Sequence, residues 1–347
     1  MRGLVLCGFL SALTGGGALA HHGPPVEPLY DTQNVIFLDG VVTELLWRNP
    51  HVRFRIEVTE GSHAGEIWEL EMDPLTRMRR TGLSPEFVKP GDAVKVAGIV
   101  ARHKPRVMAL ENLLLPDGQE YVGARLQAPL RFGGERLAAE VLPIDPQKIE
   151  AARREANGIF RTWVRVRGHG SSRLGNEALT EDGRRSKAEF NRITDEPLLQ
   201  CVKDGMPRAM FHPTAMEFID RGDRILLRIE EHELTRTIHM GDDFPRAEGR
   251  ATPLGHSVGR WEGDTLVVTT TNVGWPFADG DGTPQSEDVV HVERITPSAD
   301  GTWADYELTS TDPAYLNGSA VRTSRLEWTP GRELGDYECV LWDSSGL

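Results

Sequence analysis

The chain has 347 residues, of which 39% are hydrophobic, and its 52 acidic side chains outnumber 39 basic ones to give a formal net charge of −13. This share of apolar residues is enough to build packed cores, so the composition excludes a disordered chain. An acidic protein repels phosphate backbones, which excludes nucleic acid from the expected partners. The length predicts two domains of ordinary size.

The first twenty residues have the three parts of a secretory signal peptide. Arg2 supplies the positive charge, residues 4–13 form a short apolar run, and Ala18-Leu19-Ala20 is a small-x-small cleavage site. The run is too short for a membrane anchor, which needs about 20 apolar residues, and no later segment approaches that length. We therefore expect a periplasmic or secreted protein whose mature chain begins at His21 and has no transmembrane segment.

Residues 21–118 are predicted to form a small β domain. The segment 51–58 alternates, with Val52 and Phe54 on one face and Arg53 and Arg55 on the other. The predicted strands cover residues 34–47, 51–58, 65–72, 93–101 and 107–115, with a short helix at 74–81. Three strands, a helical connection and two strands is the order of an OB-like barrel.

Residues 119–156 look like a connector with a short helix, in which Asp145 is the cap, Pro146 lies in the first turn and the end falls near Ala156. Residues 157–347 are predicted to form a larger all-β domain. Its strands cover residues 159–166, 215–220, 224–230, 234–240, 256–261, 265–271, 288–295, 303–309, 320–328 and 335–341. Strands at such short, regular spacing favour an antiparallel, lipocalin-like β-barrel, with a β-sandwich as the alternative.

Three cysteines occur, and Cys7 leaves with the predicted signal peptide. Cys201 and Cys339 remain, and two cysteines in an oxidising compartment most simply form one disulfide. This bridge would close a long loop and stabilise the protein by roughly 4 kcal/mol in the chain-entropy description. A reactive thiol is the alternative.

Four short motifs characterise the first domain: His21-His22, Asp39-Gly40-Val41-Val42, Trp47-x-Asn49-Pro50-His51 and Lys89-Pro90-Gly91-Asp92. In these motifs, residues 21–123 resemble a family of exported bacterial domains of unknown function. Members of that family usually have Ser after the His pair, whereas Gly23 and Pro24 stand here. The resemblance supports the domain boundary and implies no particular reaction.

The second domain resembles another uncharacterised exported family. The shared features are a long motif from Gly255 to Val268 (GHSVGRWEGDTLVV), a Cys-x-x-x-Gly-x-Pro-Arg segment from Cys201 to Arg208, and a late Tyr337-x-Cys339. That family often has His-Ser-Asp where this chain has Gln285-Ser286-Glu287-Asp288. The resemblance supports the disulfide and implies no established activity.

The predicted mature N-terminus is a candidate copper site. Cleavage would expose an α-amine on His21, which can chelate a metal together with its own imidazole, and His22 or His51 would add a further ring nitrogen. Imidazole and amine ligands suit copper, which is at the top of the divalent affinity order. The alternative is a solvated arm, because the segment is rich in proline and His51 shares its strand face with Arg53 and Arg55.

The second domain offers candidate pocket residues on its predicted strands. His291 and Glu293 share one strand face and could act as general base and orienter, with Arg260 as an anion clamp. A ligand pocket could be lined by His239, His256 and Trp261. The plain alternatives are solvated strand faces, an Arg260 paired with a neighbouring acid, and a tryptophan in the core. The acidic run Glu230-Glu231-His232-Glu233 is interpreted as a charged hairpin tip.

Three functional hypotheses follow from these residues. The first is an exported, non-catalytic binding protein that holds copper in its first domain and a small, mostly apolar molecule in its second. The second is an enzyme that uses His291, Glu293 and Arg260 for acid–base chemistry on a small carbonyl or ester substrate. The third is a structural envelope module whose barrels are packed and solid.

Overall fold

The computed structural model describes residues 29–123, 129–137, 142–166, 168–241 and 249–341. It is mostly β, with 44% strand and 17% helix, which confirms the predicted all-β class. The strands are β1 (Tyr30–Leu46), β2 (His51–Val58), β3 (Ile67–Pro74), β4 (Ala93–Ala101), β5 (Val107–Leu114), β6 (Gln119–Val122), β7 (Glu135–Arg136), β8 (Thr162–Arg165), β9 (Ala215–Asp220), β10 (Arg224–Ile229), β11 (Leu234–Met240), β12 (His256–Glu262), β13 (Thr265–Thr271), β14 (Val290–Pro297), β15 (Trp303–Thr311) and β16 (Ser319–Trp328). The α-helices are α1 (Leu75–Arg80), α2 (Pro146–Glu155), α3 (Glu181–Glu189) and α4 (Arg192–Asp195).

The first five strands close into the predicted OB-like barrel. β1 pairs with β2 and β4, β2 pairs with β3, and β4 pairs with β5, all antiparallel. A parallel pairing of β3 with β5, which places Glu69 opposite Val107, closes the ring, and α1 follows β3 as expected. The 17-residue β1 is long enough to pair with both β2 and β4. Gly40 allows close approach of β2, since a Cβ at this position would lie 2.7 Å from the Glu57 carbonyl oxygen.

The alternation of β2 explains the core of this barrel. Val52, Phe54, Ile56 and Val58 are at most 1% exposed, whereas the polar residues between them lie on the outer face. A strand with one buried and one solvated face requires this period of two.

The first sheet continues past residue 118 into the segment that the sequence placed in the connector. β6 pairs with β5, and the short β7 pairs with β6. Pro116-Asp117-Gly118 forms the β5–β6 turn, where Gly118 has a φ of +85° that favours glycine. The predicted connector helix follows as α2, and the Asp145 carboxylate accepts a hydrogen bond of 2.8 Å from the Gln147 amide at its start.

The second domain is a closed barrel of nine strands in the order β8, β9, β10, β11, β12, β13, β14, β15, β16 and back to β8. The predicted barrel, rather than a sandwich, is therefore present. Eight of its nine pairings are antiparallel, but β11 and β12 are parallel, with Ile238 opposite Ser257. Parallel neighbours need a chain return between them. Residues 241–255, only part of which the structure describes, supply that return.

Large side chains pack the interior of the nine-stranded barrel. Trp163, Phe218, Leu227, Ile238 and Leu308 belong to one buried cluster and are at most 2% exposed. Such close packing is the ordinary condition of a protein core.

The C-terminal segment 329–341 contacts both domains. The predicted disulfide between Cys201 and Cys339 is present, with Cα atoms 5.8 Å apart, and it fixes the segment to the second domain. The next residue, Val340, donates its backbone N–H to the Asn49 carbonyl oxygen in the first domain at 3.0 Å. Arg79 of α1 donates to the Asp336 carbonyl oxygen at 3.2 Å. Across the described parts of the chain, no helix has the length and apolar character needed to cross a bilayer.

Candidate functional site

His51 is held in an orientation suited to a metal ligand. It begins β2, and its Nδ1 lies 2.9 Å from the Met72 carbonyl oxygen and 3.0 Å from the Glu71 carboxylate. A carbonyl oxygen only accepts, so Nδ1 carries a proton, and in the neutral ring Nε2 has the lone pair. Metal-bound histidines are commonly oriented by such a bond from the other ring nitrogen. The other two predicted copper ligands, His21 and His22, lie outside the described residues.

The arginines beside His51 are neutralised by acidic neighbours. Arg53 forms ion pairs with Glu69 at 3.1 Å and with Glu71 at 3.0 Å. Arg55 pairs with Glu44 at 3.1 Å. The positive strand face that the sequence weighed against a bound cation is therefore balanced by carboxylates in the folded domain.

The start of the described chain lies beside the same carboxylate. The hydroxyl of Tyr30 donates to Glu71 at 3.0 Å, and Tyr30 itself is buried. Tyr30 and His51 thus share Glu71 as a partner. Eight residues lead from His21 to Leu29, and an extended chain of that length spans at most about 29 Å. The predicted mature N-terminus is within reach of His51.

His291 and Glu293 share one face of β14, as the alternation predicted. That face points into the second barrel and not to solvent, and neither side chain is exposed. The Glu293 carboxylate binds the Arg236 guanidinium through both of its oxygens, and the Tyr306 hydroxyl donates to it at 2.9 Å. Arg236 also donates to Ser257 at 3.0 Å and to Thr270 at 2.7 Å. The carboxylate is thus committed to a buried network of hydrogen bonds.

The hydrogen bonds of His291 determine its tautomer. Gln285 donates both of its amide hydrogen bonds, each 2.7 Å long, to the carbonyl oxygens of Met206 and Trp275. Its Oε1 therefore faces His291 as an acceptor at 3.2 Å, so Nε2 of His291 has the proton and Nδ1 accepts from Ser310 at 2.9 Å. Burial lowers the pKa of His291 to about 3, and the nearby Arg322 and Arg236 add to this effect. The ring is neutral at physiological pH.

The remaining predicted catalytic residue, Arg260, does not join His291 and Glu293. It lies on the outer face of β12, half exposed, and pairs with Glu262 at 2.7 Å. This is the neighbouring-acid arrangement that the sequence offered as the alternative. Trp261 is 44% exposed and packs edge-on against Phe160 with ring centroids 6.0 Å apart, at the opposite end of β12 from His256.

The structure does bring His239 and His256 together. Both lie on the outer face of the parallel β11–β12 pair, and their rings are stacked with centroids 5.3 Å apart. They border a cleft of about 230 Å³. Its other lining residues are Thr235, Arg236, Thr237, Thr252, Leu254, Gly255 and Ser257. The lining is mainly polar, in contrast to the apolar cavity expected from the sequence. Burial, followed by His256 and Arg224, lowers the pKa of His239.

The acidic run after β10 is not a solvated hairpin tip. Glu230 accepts from the Gly335 amide at 3.1 Å and pairs with Arg332 at 3.2 Å. Glu231 accepts from the Tyr337 hydroxyl at 2.8 Å, and Glu233 accepts from the Tyr337 amide at 2.9 Å. Three carboxylates of one turn therefore bind the C-terminal segment 329–341.

The most important residue that the sequence reasoning missed is Arg236, the charge partner of Glu293. A signal was present, because Leu234, Arg236 and Ile238 occupy alternate positions and an arginine in an inward row needs a buried acid. Its partners Ser257 and Thr270 lie on β12 and β13, and the long motif from Gly255 to Val268 includes Ser257.

In the parts of the chain that the structure describes, no group of three or more His, Cys, Asp or Glu side chains is arranged to hold a metal ion.

Comparison with known proteins bears on the first barrel. No curated protein matches the chain. Residues 10–107 match a family of unknown function (DUF6152), a range that contains β1 to β4 and the start of β5. The match does not bear on the second domain, whose family resemblance stays a prediction. The N-terminal part of the chain thus carries a domain of unknown function, in agreement with the first of the two resemblances.

Proposed function

We propose that this protein is an exported, non-catalytic binding protein that holds a copper ion between His51 and the mature N-terminus. The imidazole of His51 and the amine and imidazole of His21 would be the ligands, with His22 as a further donor. Nitrogen ligands of this type favour copper over the other common divalent ions.

The observation that carries the proposal is the shared contact with Glu71. This carboxylate lies against Nδ1 of His51 and also accepts from Tyr30, at the point where the described chain begins. It would orient the ligand ring and fix the N-terminal arm near it, as outer-shell groups do in metal sites. The ion pairs of Arg53 and Arg55 support the proposal, since they reduce the repulsion that a cation would meet.

The proposal is tested with copper binding to the protein purified from the exported fraction. Native mass spectrometry with Cu²⁺ would compare the natural chain, His51→Gln, and a variant with one alanine inserted before His21. We expect tight binding of one ion in the natural chain and at least a tenfold loss of affinity in both variants.

The matched control is His103→Gln, which changes an exposed histidine of the same barrel and should leave copper binding unchanged. Equal affinity in the natural chain and the inserted-alanine variant would overturn the proposal. A mature chain that begins at another residue would overturn it as well, because His21 would then have no free amine.

For the second barrel, the burial of His291 and Glu293 supports a structural rather than a catalytic role. Both side chains are fully buried and fully engaged by neighbours, and Arg260 lies outside the barrel. A substrate would have to displace the packed interior to reach them.

A further inference from the structure

Arg322 is a buried arginine on the inner face of β16 in the second barrel. It is 2% exposed, and it follows the alternation of the strand, in which Ala320, Ser324 and Leu326 are also buried. An arginine is almost never fully buried unless its charge is paired. Within the described ranges, however, no acidic side chain forms an ion pair with Arg322.

The acidic side chain that acts on Arg322 electrostatically, Asp279, is committed to its own loop. Its carboxylate accepts from the Leu174 amide at 2.9 Å, from the Asp281 amide at 3.0 Å, and from the Thr283 amide and hydroxyl at 3.2 and 2.8 Å. Burial lowers the pKa of Arg322, and the attraction of Asp279 acts in the opposite direction. A guanidinium stays protonated in proteins, so a positive charge remains in the barrel interior.

The contacts of Arg322 leave one edge of its guanidinium without a partner. Nη1 donates to the carbonyl oxygens of Ser172 at 3.1 Å and Ala278 at 2.8 Å. The Phe211 ring lies against the group, with Cζ of Arg322 4.9 Å from the ring centre. Nε and Nη2 are buried, and neither has a hydrogen-bond partner in the described parts of the chain. Since buried donors in native proteins are nearly always paired, these two indicate an acceptor from outside the chain.

This free edge has the geometry of a bidentate oxyanion site. Nε and Nη2 lie on the same side of the planar guanidinium, so their N–H bonds are parallel and match the two oxygens of one carboxylate. A water molecule would accept a hydrogen bond from this edge but would leave the buried charge of Arg322 uncompensated. A carboxylate supplies both acceptors and the opposite charge, which a buried ion requires.

The surroundings of Arg322 include a second cation and a surface loop. Cζ of Arg165 lies 5.5 Å from the centre of the same Phe211 ring, so two guanidinium groups contact one aromatic side chain. Ser172, which accepts from Arg322, belongs to a loop in which Ser171 and Arg173 are exposed. Displacement of this loop would therefore open a path to Arg322 without separation of the barrel strands.

We infer that the Nε–Nη2 edge of Arg322 is a binding site for the carboxylate group of a small organic acid. The carboxylate would accept from both N–H groups and neutralise the guanidinium. A carboxylate carries one negative charge, as the single arginine requires, whereas phosphate carries up to about two at neutral pH. The inference does not rest on the copper proposal, because every residue of this site lies in the second domain.

The experiment measures thermal unfolding of the full chain with the sodium salts of formate, acetate, propionate and benzoate. Each salt is titrated against sodium chloride at constant ionic strength. We expect a saturable rise in unfolding temperature with at least one carboxylate, because a ligand that binds only the folded state stabilises it by mass action. Sodium phosphate at the same ionic strength should have a smaller effect.

Two variants of Arg322 and one matched control test where the anion binds. Arg322→Lys keeps the charge but has no planar fork, so about a tenfold loss of affinity for the carboxylate is expected. Arg322→Gln removes the charge and should abolish the saturable response. The control, Arg325→Gln, changes an arginine on the outer face of the same strand that pairs with Asp305 at 3.3 Å, and it should respond like the natural chain.

The absence of a saturable response to all four carboxylates in the natural chain would overturn the inference. An equal response in the natural chain and in Arg322→Lys would overturn it too, because the stabilisation would then be a general effect of the salt. A larger response to phosphate than to any carboxylate would contradict the assigned ligand class. Circular dichroism checks the fold of each variant, and the comparison with Arg322→Lys decides the question if Arg322→Gln does not fold.

Discussion

Two buried side chains of the second barrel, His291 and Glu293, show how the same sequence pattern can indicate catalysis or packing. Alternation along β14 places both on one strand face, as the sequence predicted, and the structure shows that this face is the inward one. In the structure, Ser310 and Gln285 satisfy both ring nitrogens of His291, and Arg236 neutralises Glu293. A general base needs access to a substrate, so these contacts favour a stabilising role.

We predict that His291 makes the stability of the protein sensitive to acid. Its pKa is lowered from 6.5 to about 3 in the folded protein by burial, so below pH 6.5 the unfolded chain takes up a proton that the folded chain does not. The contribution of His291 to stability is thus complete above pH 6.5 and is lost between pH 6.5 and pH 3, at about 1.4 kcal/mol per pH unit. Urea unfolding at several pH values should give a flatter profile for His291→Gln. Parallel profiles for the two proteins would contradict this.

At the scale of the elements, the buried network around Arg236 connects four strands of the barrel. Arg236 lies on β11, Ser257 on β12, Thr270 on β13 and Glu293 on β14. The network therefore spans the parallel β11–β12 pair, where the described strands share only three residue pairs. We interpret it as the feature that holds this short pairing in register.

We predict that Glu293→Gln destabilises the protein by about 3–5 kcal/mol, because it leaves the Arg236 charge buried without its partner. A double variant, Arg236→Met with Glu293→Leu, should lose less stability than the sum of the losses in the single variants Arg236→Met and Glu293→Leu. The reason is that no buried charge is left unpaired in the double variant. Free energies of unfolding in urea would measure these differences.

The control for this series is Glu262→Gln, which breaks the exposed pairs of Glu262 with Arg260 and Arg294. Exposed ion pairs contribute about 0–1 kcal/mol, so little change is expected. A loss in Glu293→Gln as small as that of Glu262→Gln would contradict the role assigned to the buried network.

At the scale of the whole molecule, the C-terminal segment 329–341 connects the two barrels. The turn Glu230–Glu233 and the disulfide attach the segment to the second barrel, and the Val340 amide and the Asp336 carbonyl attach it to the first. Neither barrel contributes all of these contacts, so the segment joins the two domains.

We predict that the double variant Cys201→Ser, Cys339→Ser loses about 4–5 kcal/mol of stability in the second domain. The two cysteines are 138 residues apart, and the bridge removes the entropy of that long loop from the unfolded chain. Calorimetry should show a lower unfolding temperature, and limited proteolysis should cut first within residues 329–341. A reducing agent should lower the stability of the natural protein and leave the variant unaffected. Equal stability of the oxidised natural protein and the variant would be evidence against the prediction.

The sequence by itself missed β6 and β7, and it predicted a strand at 335–341, where the structure has only an isolated bridge between Asn49 and Cys339. It did indicate the other strands, the order of the two barrels and the disulfide. These depend on local signals, namely alternation with a period of two, turn residues and the small number of cysteines. The sequence also indicated the charged face of β2 and the shared face of His291 and Glu293, because a side chain's face follows from its place in the strand. It did not show that the face of His291 points inward.

Only the tertiary structure decided which distant side chains meet. Arg236 and Glu293 are 57 residues apart, and the parallel β11–β12 pair that stacks His239 on His256 depends on how the barrel closes. The same closure separated Arg260 from His291, and the folded turn directed three carboxylates onto the C-terminal segment. Periodicity specifies the face of a strand but not its neighbour, and the chemistry of a site depends on the neighbour.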